Sequence, residues 1–417
     1  MRKTNESKLL PRLRFPEFRN EEGWEMKKVG EVIEESKVPS TSNNPHNRIT
    51  VRLNQKGVEK REVRGTEADN ATYFFIRRKG QFIYGKQNLH KGAFGLIPDE
   101  LDGFESSQDI PAFDFKNGYY PQYFVYYLGQ ENVYPDLEKI STGTGSKRIH
   151  PRDLFQVKFP FPKTEEQQKI AACLSSLDDV INAESKKLEV LKEHKKGLLQ
   201  NLFPQEGETV PKLRFKEFED SGEWVERTLG EVSDNVMYGM NSAAIMFDGE
   251  NKYIRITDID DNTRLFSPNP LTSPDGQLDD KYFVNVGDIL FARTGASVGK
   301  SYLHQKENGK IYFAGFLIRF TIKNANPYFI YLQTLTEKYQ KWVSKTSLRS
   351  GQPGINAEEF KSYPILISSL PEQQRIASCL SSLDNLINAQ SQKIETLKLH
   401  KKGLLQGLFP DINEHNG

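Results

Sequence analysis

The sequence predicts an α+β protein in which two globular domains are joined by two long helices that form an antiparallel coiled coil, with a pseudo-twofold internal repeat. Three observations support this prediction. The phrase IAACLSSLD at 170–178 returns as IASCLSSLD at 376–384, inside longer helical patterns. A second phrase, PRLRFPEF at 11–18, returns as PKLRFKEF at 211–218. The stretches between these anchors hardly resemble one another, and their richness in Tyr, Phe, Ile and Val is typical of strands.

The duplication divides the chain into four regions. The first globular domain covers 1–160 and is followed by a central helical spacer at 161–204. The second globular domain covers 205–365 and is followed by a distal helical region at 366–417. A repeat this long, present in two copies, is unlike a solenoid, and two similar halves in one chain predict a pseudo-dimer.

Each helical region carries apolar residues spaced by threes and fours, which is the seam of a coiled coil. The seam runs from Ile170 to Leu202 in the first region and from Ile376 to Leu408 in the second. Prolines lie near the start and at the end of both regions, where they are tolerated or stop a helix. The residues expected to pair the two helices are Leu188, Leu191, Ile394, Leu397, Glu184 and Lys401.

Two registers remain open for this helix pair. The favoured register sets Leu188 against Leu397 and pairs Glu184 with Lys401, because polar seam residues then gain partners instead of losing water alone. A second register, one heptad away, gives more overlap but places Lys401 opposite Leu177. A structure with Lys401 beside Leu177 would favour the second register.

Composition limits the class of protein. The 57 Lys and Arg residues nearly balance the 56 Asp and Glu residues, so any nucleic-acid surface must be a local patch. The first residues are polar and lack the apolar segment of a signal peptide, and no run approaches the ~18–20 apolar residues that span a bilayer. Cys173 and Cys379 occupy the same place in the two repeats and fit reduced thiols. We therefore expect a soluble cytoplasmic protein without a membrane partner.

Motifs that carry catalysis are weak. GASVGKS at 295–301 resembles a phosphate-binding loop, but its glycines are one residue too close together. NPYF at 326–329 resembles a signature of amino-methylating DNA methyltransferases but lacks the second proline. A helix start with Asn326 as cap and Pro327 at the first position is the better interpretation. The histidines form no Cys/His array. We therefore expect no catalytic residue and no metal ligand in this chain.

Polar and basic residues instead concentrate between glycines on loops. These loops lie at 84–95 and 141–153 in the first domain, and at 237–243, 291–301 and 346–356 in the second. Such side chains can reach base edges and phosphates, so the loops predict contacts to DNA. The residues expected to make these contacts are Lys86, Asn88, His90, Lys91, Lys147 and Arg148 in the first domain, and Asn241, Arg293, Thr294, Lys300, Arg349 and Gln352 in the second.

Over nearly its whole length, the chain resembles the specificity (S) subunits of type I restriction-modification systems. The strongest marks are EEQQKIAACLSSLDDVI at 165–181 and PEQQRIASCLSSLDNLI at 371–387, each followed by HKKGLLQ. GQFIYGKQNLHKGAFG at 80–95, YIRITDID at 253–260 and GDILFARTGASVGK at 287–300 also resemble that family. Together these motifs are specific, whereas any one of them alone would not be.

The resemblance implies a function for each region. In that family each globular domain is a target recognition domain that reads one half of a split site in double-stranded DNA. The helices pair antiparallel, set the distance between the half-sites and dock two modification (methyltransferase) subunits, and restriction (translocase/nuclease) subunits complete the complex. No cofactor is expected in this chain, since S-adenosylmethionine, ATP and Mg²⁺ belong to the partner subunits.

Two other classes of function remain open. A DNA N6-adenine methyltransferase with its own recognition domain would need a cofactor loop, and the sequence offers no convincing one. A coiled-coil scaffold with no role on DNA would not need basic loops at corresponding places in both halves.

Overall fold

The computed structural model describes residues 9–42, 44–63, 73–143, 147–348 and 351–411. By its internal contacts the chain divides into two compact units, one formed by Met1–Ser185 with Gln392–Gly417 and the other by Lys186–Ser391. Each unit therefore contains a globular domain together with one part of each long helix. None of the helices in the described ranges is both long and apolar enough to cross a membrane.

The first unit consists of short strands and helices. Its helices are α1 (Val29–Val32), α2 (Pro121–Leu128), α3 (Pro151–Leu154) and the beginning of α4 (Thr164–Leu202). A proline occupies the first position of α2 and of α3, where its missing N–H costs nothing. The strands are β1 (Glu25–Lys28), β2 (Ile33–Ser36), β3 (Ile49–Val51), β4 (Val58–Lys60), β5 (Phe74–Ile76), β6 (Phe82–Tyr84), β7 (Phe94–Leu96), β8 (Glu105–Ser107), β9 (Ala112–Phe115) and β10 (Lys158–Phe161).

An antiparallel sheet with the strand order β2-β9-β6-β7 forms the centre of this unit. Phe82 lies opposite Phe113 in this sheet, and both rings are fully buried. The ring of Phe124, on α2, meets the ring of Phe82 edge-on with centroids 5.0 Å apart, so α2 packs against this sheet. A separate antiparallel pair, β1 with β10, leads directly into α4.

The second unit repeats this plan. Its helices are α5 (Pro327–Gln333), α6 (Glu337–Thr346), α7 (Ala357–Lys361) and the beginning of α8 (Leu370–Leu408). As predicted, Asn326 caps α5, since its side chain accepts a hydrogen bond from the Phe329 N–H at 3.0 Å, and Pro327 is the first helical residue. The strands are β11 (Val225–Thr228), β12 (Ser233–Tyr238), β13 (Ala244–Met246), β14 (Lys252–Ile254), β15 (Thr272–Pro274), β16 (Ile289–Ala292), β17 (Ser301–Leu303), β18 (Ile311–Phe313), β19 (Leu317–Ile322) and β20 (Pro364–Ile367).

The two units share a topology although their sequences differ. The sheet β12-β19-β16-β17 has the order of β2-β9-β6-β7, and β11 pairs with β20 as β1 pairs with β10. The second unit also contains a parallel pair, β14 with β18. The predicted α+β class, with an internal repeat, is therefore confirmed.

The repeated EQQ of the sequence anchors each long helix to its own domain. In α4, Glu166 accepts two hydrogen bonds from Arg14, at 2.7 and 2.8 Å, and in α8 Glu372 accepts two from Arg214, at 2.7 and 2.9 Å. Both carboxylates are buried. The neighbouring glutamine, Gln167, accepts a hydrogen bond from the backbone N–H that precedes α2, and Gln373 does the same before α5. Because the same hydrogen bonds are made in both units, the Glu-Gln pair occurs in both copies of the repeat.

The far end of each long helix closes a hydrophobic core. Phe409, just after α8, packs its ring edge-on against Trp24 in the first unit and also contacts Tyr123. In the second unit Phe203, just after α4, meets Trp224 in the same edge-on way, with centroids 5.9 Å apart. The repeated Leu-Phe-Pro sequence therefore ends each long helix and also places a phenylalanine ring in the hydrophobic core.

Ion pairs within the first unit fix how α4 lies against α8. Lys401 Nζ donates to both oxygens of Asp178, at 2.6 and 2.8 Å, and Glu184 accepts from Lys393. The Tyr126 hydroxyl also donates to Asp178, at 2.8 Å. The helices are antiparallel, because the higher-numbered residue of α4 pairs with the lower-numbered residue of α8.

The second unit repeats the contact with the other copies of the same residues. Lys195 pairs with Asp384 at 2.5 Å, and these are the repeat mates of Lys401 and Asp178. The favoured register, in which Lys401 meets Glu184, is therefore wrong, and the register one heptad away holds.

The reason lies beside the seam. The expected register pairs the polar seam residues with one another. In the structure, each seam lysine instead pairs with the aspartate that ends the SSLD phrase, and this aspartate lies beside the seam. A half-buried lysine leans out to this carboxylate, so no charge is desolvated alone and the longer overlap becomes available. Of the residues expected to pair the helices, Ile394 is buried and Leu188, Leu191 and Leu397 are partly buried.

Candidate nucleic-acid interface

In the first unit, the loop after β6 and the segment before α3 come together. The backbone N–H of Ile149 donates to the Lys86 carbonyl at 2.8 Å, which joins 84–95 to 141–153 at the end of the strand. Asn88, His90 and Lys91 follow in the same loop, where a short 3-10 turn spans Leu89–Lys91. The fold therefore brings together two basic stretches, 84–95 and 141–153, that are separated by a long intervening segment of the chain.

The basic side chains of this cluster are held by exposed carboxylates. Arg148 lies 3.0 Å from Asp109, and Lys147 lies 2.9 Å from Glu138. The hydrogen bond from Lys147 lowers the pKa of Glu138. Exposed pairs of this kind contribute little to stability, so a phosphate could replace the carboxylate at small cost.

His90 is partly buried in this loop. Burial lowers its pKa, and its Nδ1 atom is shielded from solvent without a hydrogen-bond partner among the described residues. Asn88 is partly exposed and Lys91 is exposed. Of these three side chains, that of Lys91 is the most exposed to solvent.

The second unit builds the equivalent junction. The Ile355 N–H donates to the Arg293 carbonyl at 2.9 Å, and the Gly295 N–H donates to Pro353 at 3.0 Å. Ile149 and Ile355 are repeat mates, so Lys86 and Arg293 occupy the same backbone position at the ends of β6 and β16. The two domains thus carry different basic side chains, a lysine and an arginine, at equivalent positions of the same fold.

Thr294, Gln352 and Asn241 surround this junction. Thr294 forms an isolated bridge with Gly354, and the Gln352 side chain lies beside Gly295. Asn241 is exposed and follows Met240, which bridges Ala314. The three sequence stretches that were expected to contact DNA in this domain therefore meet at one end of the sheet.

The sequence also predicts DNA contacts from Lys300 and Arg349. Lys300 is 6% exposed, donates to the Ile259 carbonyl at 2.9 Å and pairs with Asp261. The ammonium group of this lysine is therefore engaged within the domain, where it links the turn after Ile259 to the start of β17. Arg349 lies outside the described residues.

The turn at 295–301 is not a phosphate-binding loop. A 3-10 turn at Gly295–Ser297 follows β16, and the chain then enters β17 rather than a helix. The mismatch in glycine spacing seen in the sequence therefore agrees with a polar turn between two strands. Within the ranges that the structure describes, no group of three or more His, Cys, Asp or Glu side chains is placed to hold a metal ion.

Two aromatic residues at the second junction were missed by the sequence reasoning. Arg293 lies with its guanidinium carbon 5.2 Å from the centre of the Tyr238 ring and 5.7 Å from that of Phe316. Phe316 is 55% exposed and sits in the tight turn between β18 and β19. An aromatic residue in so short a turn is the signal that could have found it.

These folds and clusters define a protein with two unlike modules, each of which presents a basic junction at one end of its sheet. A family model described as Type I restriction modification DNA specificity domain matches the chain twice, over residues 21–193 and 221–399. The chain therefore belongs to the family of type I restriction-modification DNA specificity proteins. The resemblance drawn from the repeated phrases is confirmed.

Named relatives agree with this assignment. The type I restriction enzyme MjaVIII specificity subunit of Methanocaldococcus jannaschii is 26% identical over 285 residues, 66% of each chain. The putative MjaX specificity subunit of the same organism is 25% identical over 306 residues, 70% of this chain and 67% of that protein. The matched region thus spans about two thirds of either relative.

Solved structures share the fold. The crystal structure of a type I restriction-modification S subunit from M. genitalium matches with a TM-score of 0.61 at 15% identity, covering 97% of this chain and 100% of that one. A chain from a study of complex assembly and conformational transition of the type I system matches with a TM-score of 0.54 at 18% identity. At these identities the likeness concerns the fold.

Proposed function

We propose that this chain supplies the DNA specificity of a type I restriction-modification complex. Each globular domain reads one half of a bipartite, asymmetric site in double-stranded DNA, and the chain itself performs no catalysis. The observation that carries the proposal is the shared junction at the end of β6 and β16, which presents Lys86 in one domain and Arg293 in the other. One scaffold with two different reading surfaces suits a site whose halves differ.

The family assignment favours this function over the two alternatives. An N6-adenine methyltransferase with its own recognition domain would need a cofactor loop after a strand, and the turn at 295–301 leads into another strand. A scaffold without DNA would leave the paired basic junctions without a role. Near-neutral overall charge fits a subunit that shares phosphate binding with its partners.

The partners proposed for the chain are two modification subunits and the restriction subunits of a cytoplasmic complex, which bring S-adenosylmethionine, ATP and Mg²⁺. Two repeat-related apolar side chains support the pair of modification subunits. Val180 on α4 is 42% exposed and Leu386 on α8 is 58% exposed. Large apolar side chains at equivalent exposed positions suit two copies of one partner.

Exchange of one recognition domain tests the proposed reading of DNA. The segment 233–365 is replaced by the corresponding segment of another family member, and the methylome of cells carrying the modification complex is sequenced before and after. We expect one half-site to change and the other to stay. A change in both half-sites, or a wild-type methylome without any bipartite motif, would contradict the proposal.

Charge insertion on the helices tests the two docking sites. Val180→Asp and Leu386→Asp should each reduce the number of bound modification subunits from two to one, measured by native mass spectrometry of the purified complex. Val190→Asp is the matched control, because Val190 is also exposed on α4 but its repeat mate is the polar Thr396. An unchanged stoichiometry in both test variants would exclude these positions as docking sites.

A further inference from the structure

We infer that Arg293 reads a guanine in the half-site of the second domain and that Phe316 and Gly315 position it for this contact. The inference rests on the proposed function and adds which base is recognised and which residues hold the arginine in position.

The Arg293 side chain is fixed at its inner nitrogen. Nε donates to the Gly315 carbonyl at 3.0 Å, and the backbone N–H of Arg293 donates to the Phe316 carbonyl at the same distance. Within 147–348 and 351–411, neither terminal Nη nitrogen donates a hydrogen bond. Because Nε is already bound, the two Nη nitrogens at the end of the guanidinium are the donors that can contact a ligand.

That end-on pair of donors matches guanine. The major-groove edge of guanine presents two acceptors, N7 and O6, and a bidentate contact to them from arginine or lysine is the commonest specific contact between proteins and DNA. The planar fork of arginine fits the two acceptors with less loss of freedom than a flexible ammonium group. A phosphate can also accept two hydrogen bonds from an arginine, but a flexible lysine binds it as a point charge, so phosphate binding alone does not require a side chain fixed in one position. An arginine whose Nε is fixed by the turn between β18 and β19 presents its donors in one direction, which suits the selection of a base.

The two aromatic rings reduce the freedom of the side chain further. The guanidinium carbon lies within 6 Å of the centres of both Tyr238 and Phe316, which is the range of cation–π attraction. Fixing a long side chain in its bound conformation before the ligand arrives lowers the entropy lost on binding. The exposed Phe316 ring thereby acts on DNA through Arg293.

The turn that carries Gly315 depends on a close backbone approach. The Met240 N–H donates to the Phe313 carbonyl at 2.9 Å, so the segment after β12 packs against the turn between β18 and β19. A Cβ at Gly239 would clash with the carbonyl of Ala314, so glycine is needed there. This packing holds the Gly315 carbonyl where Nε meets it.

The first domain lacks this device at the same backbone position. Lys86 offers a single ammonium group rather than a planar pair of donors. The difference predicts that recognition of guanine by a fixed, planar pair of donors at this junction is confined to the half-site of the second domain.

The test uses the full modification complex in cells and compares methylomes of the wild type with those of Arg293→Lys, Phe316→Leu and Arg227→Lys. We expect the wild-type site to contain a G·C pair at a fixed position of one half. In Arg293→Lys, discrimination at that position alone should fall about 5- to 150-fold, with the other positions unchanged. In Phe316→Leu it should fall about 2- to 5-fold at the same position. Arg227, exposed on β11, should tolerate lysine without effect.

Several results would overturn the inference. In Arg293→Lys, unchanged discrimination at every position, or a uniform change in methylation at all sites, would indicate that Arg293 contacts phosphate rather than a base, and a half-site without any G·C pair would exclude guanine. If Arg293→Lys does not assemble, Phe316→Leu decides, since unchanged discrimination at every position in that variant contradicts the positioning role. A wild type without a bipartite motif would overturn the proposed function as well, and that result is read from the wild type alone.

Discussion

At the residue scale, the repeated letters of the sequence correspond to buried polar contacts made twice. Glu166 is almost fully buried and holds Arg14 through two hydrogen bonds, and the bond to Glu166 raises the pKa of Arg14. Glu372 and Arg214 repeat the arrangement in the second unit. A buried pair of this kind stabilises less by its attraction than it would destabilise if one partner were removed.

Removal of one carboxylate should therefore unfold one unit preferentially. Glu166→Ala leaves Arg14 buried without its partner and should lower the free energy of unfolding of the first unit by about 3–5 kcal/mol. Hydrogen exchange read separately on peptides of the two units measures the loss. Glu372→Ala should give the mirror result, and the exposed neighbour Glu165→Ala is the control. Equal losses in Glu165→Ala and Glu166→Ala would contradict the role of the pair.

A buried histidine gives the second unit a pH-dependent stability. His304 is 3% exposed, its Nδ1 lies 3.1 Å from the Tyr302 hydroxyl, and that hydroxyl accepts a hydrogen bond from Asn308 at 2.9 Å. The hydroxyl proton is thus available to the neutral imidazole. Burial lowers the pKa of His304, so the folded unit favours the neutral ring.

Acidification should weaken this unit. The unfolded chain binds a proton at His304 with a pKa near 6.5 while the folded unit resists it, so stability is lost as the pH falls below about 6.5. His304→Asn should flatten the dependence of the unfolding free energy on pH between about 5 and 7, measured by denaturant titration. His194→Asn, at an exposed position on α4, should leave the slope unchanged. A slope that persists in His304→Asn would assign the effect to other groups.

At the scale of elements, the long helices are positioned by charges beside the seam rather than within it. Lys401 meets Asp178 in one unit, and Lys195 meets its repeat mate Asp384 in the other. The ring of Tyr126 lies 5.2 Å from Lys401 Nζ and shields that pair on one side. The same four letters, SSLD, thus specify the register twice.

A double-mutant cycle tests this register. Lys401→Ala and Asp178→Ala should show a coupling energy of about 0.5–1 kcal/mol, as expected for a partly exposed pair in contact. The same cycle between Lys401 and Glu184 should show almost none, because Glu184 contacts Lys393. Stronger coupling of Lys401 to Glu184 than to Asp178 would restore the register first expected from the sequence.

At the scale of the whole molecule, each compact unit includes residues from both long helices, so neither domain can be cut from the chain at a helix start. The first unit takes Leu408 and Phe409 from the end of α8, and the second takes Leu202 and Phe203 from the end of α4. A change in helix length must therefore be made in both helices at matching layers.

Lengthening both helices should lengthen the unread gap of the DNA site. Seven residues that continue the seam are inserted after Leu188 and, at the layer given by the observed register, after Ala389. Seven residues add roughly 10 Å, close to three base pairs. We expect a working variant to keep both half-sites and to widen the gap by two to four base pairs in its methylome. An active variant with an unchanged gap would contradict the helices as a ruler.

Insertion in α4 alone provides the control for that experiment. Seven residues inserted in α4 alone have no equivalent residues to pack against in α8, because α8 keeps its length. The insert should therefore loop out or shift the pairing of the two helices. Three base pairs also rotate the duplex by roughly 100°, since its repeat is about 10.5 base pairs, so a reduced level of methylation is expected in the double insert.

The sequence by itself determined the class of fold, the duplication, the ends of both long helices and the loops that carry basic residues. Periodicity and proline positions are local features, and the duplication is recognised by comparing two stretches of sequence, so none of these features requires knowledge of tertiary contacts. The register of the helices depended on tertiary structure, since Asp178 and Asp384 lie outside the seam and meet their lysines only across the helix pair. The burial of Lys300 and the setting of Arg293 between Gly315, Phe316 and Tyr238 were also decided there. Contacts of this kind form between residues far apart in sequence, and their geometry is set by how the sheet ends are packed rather than by any local pattern.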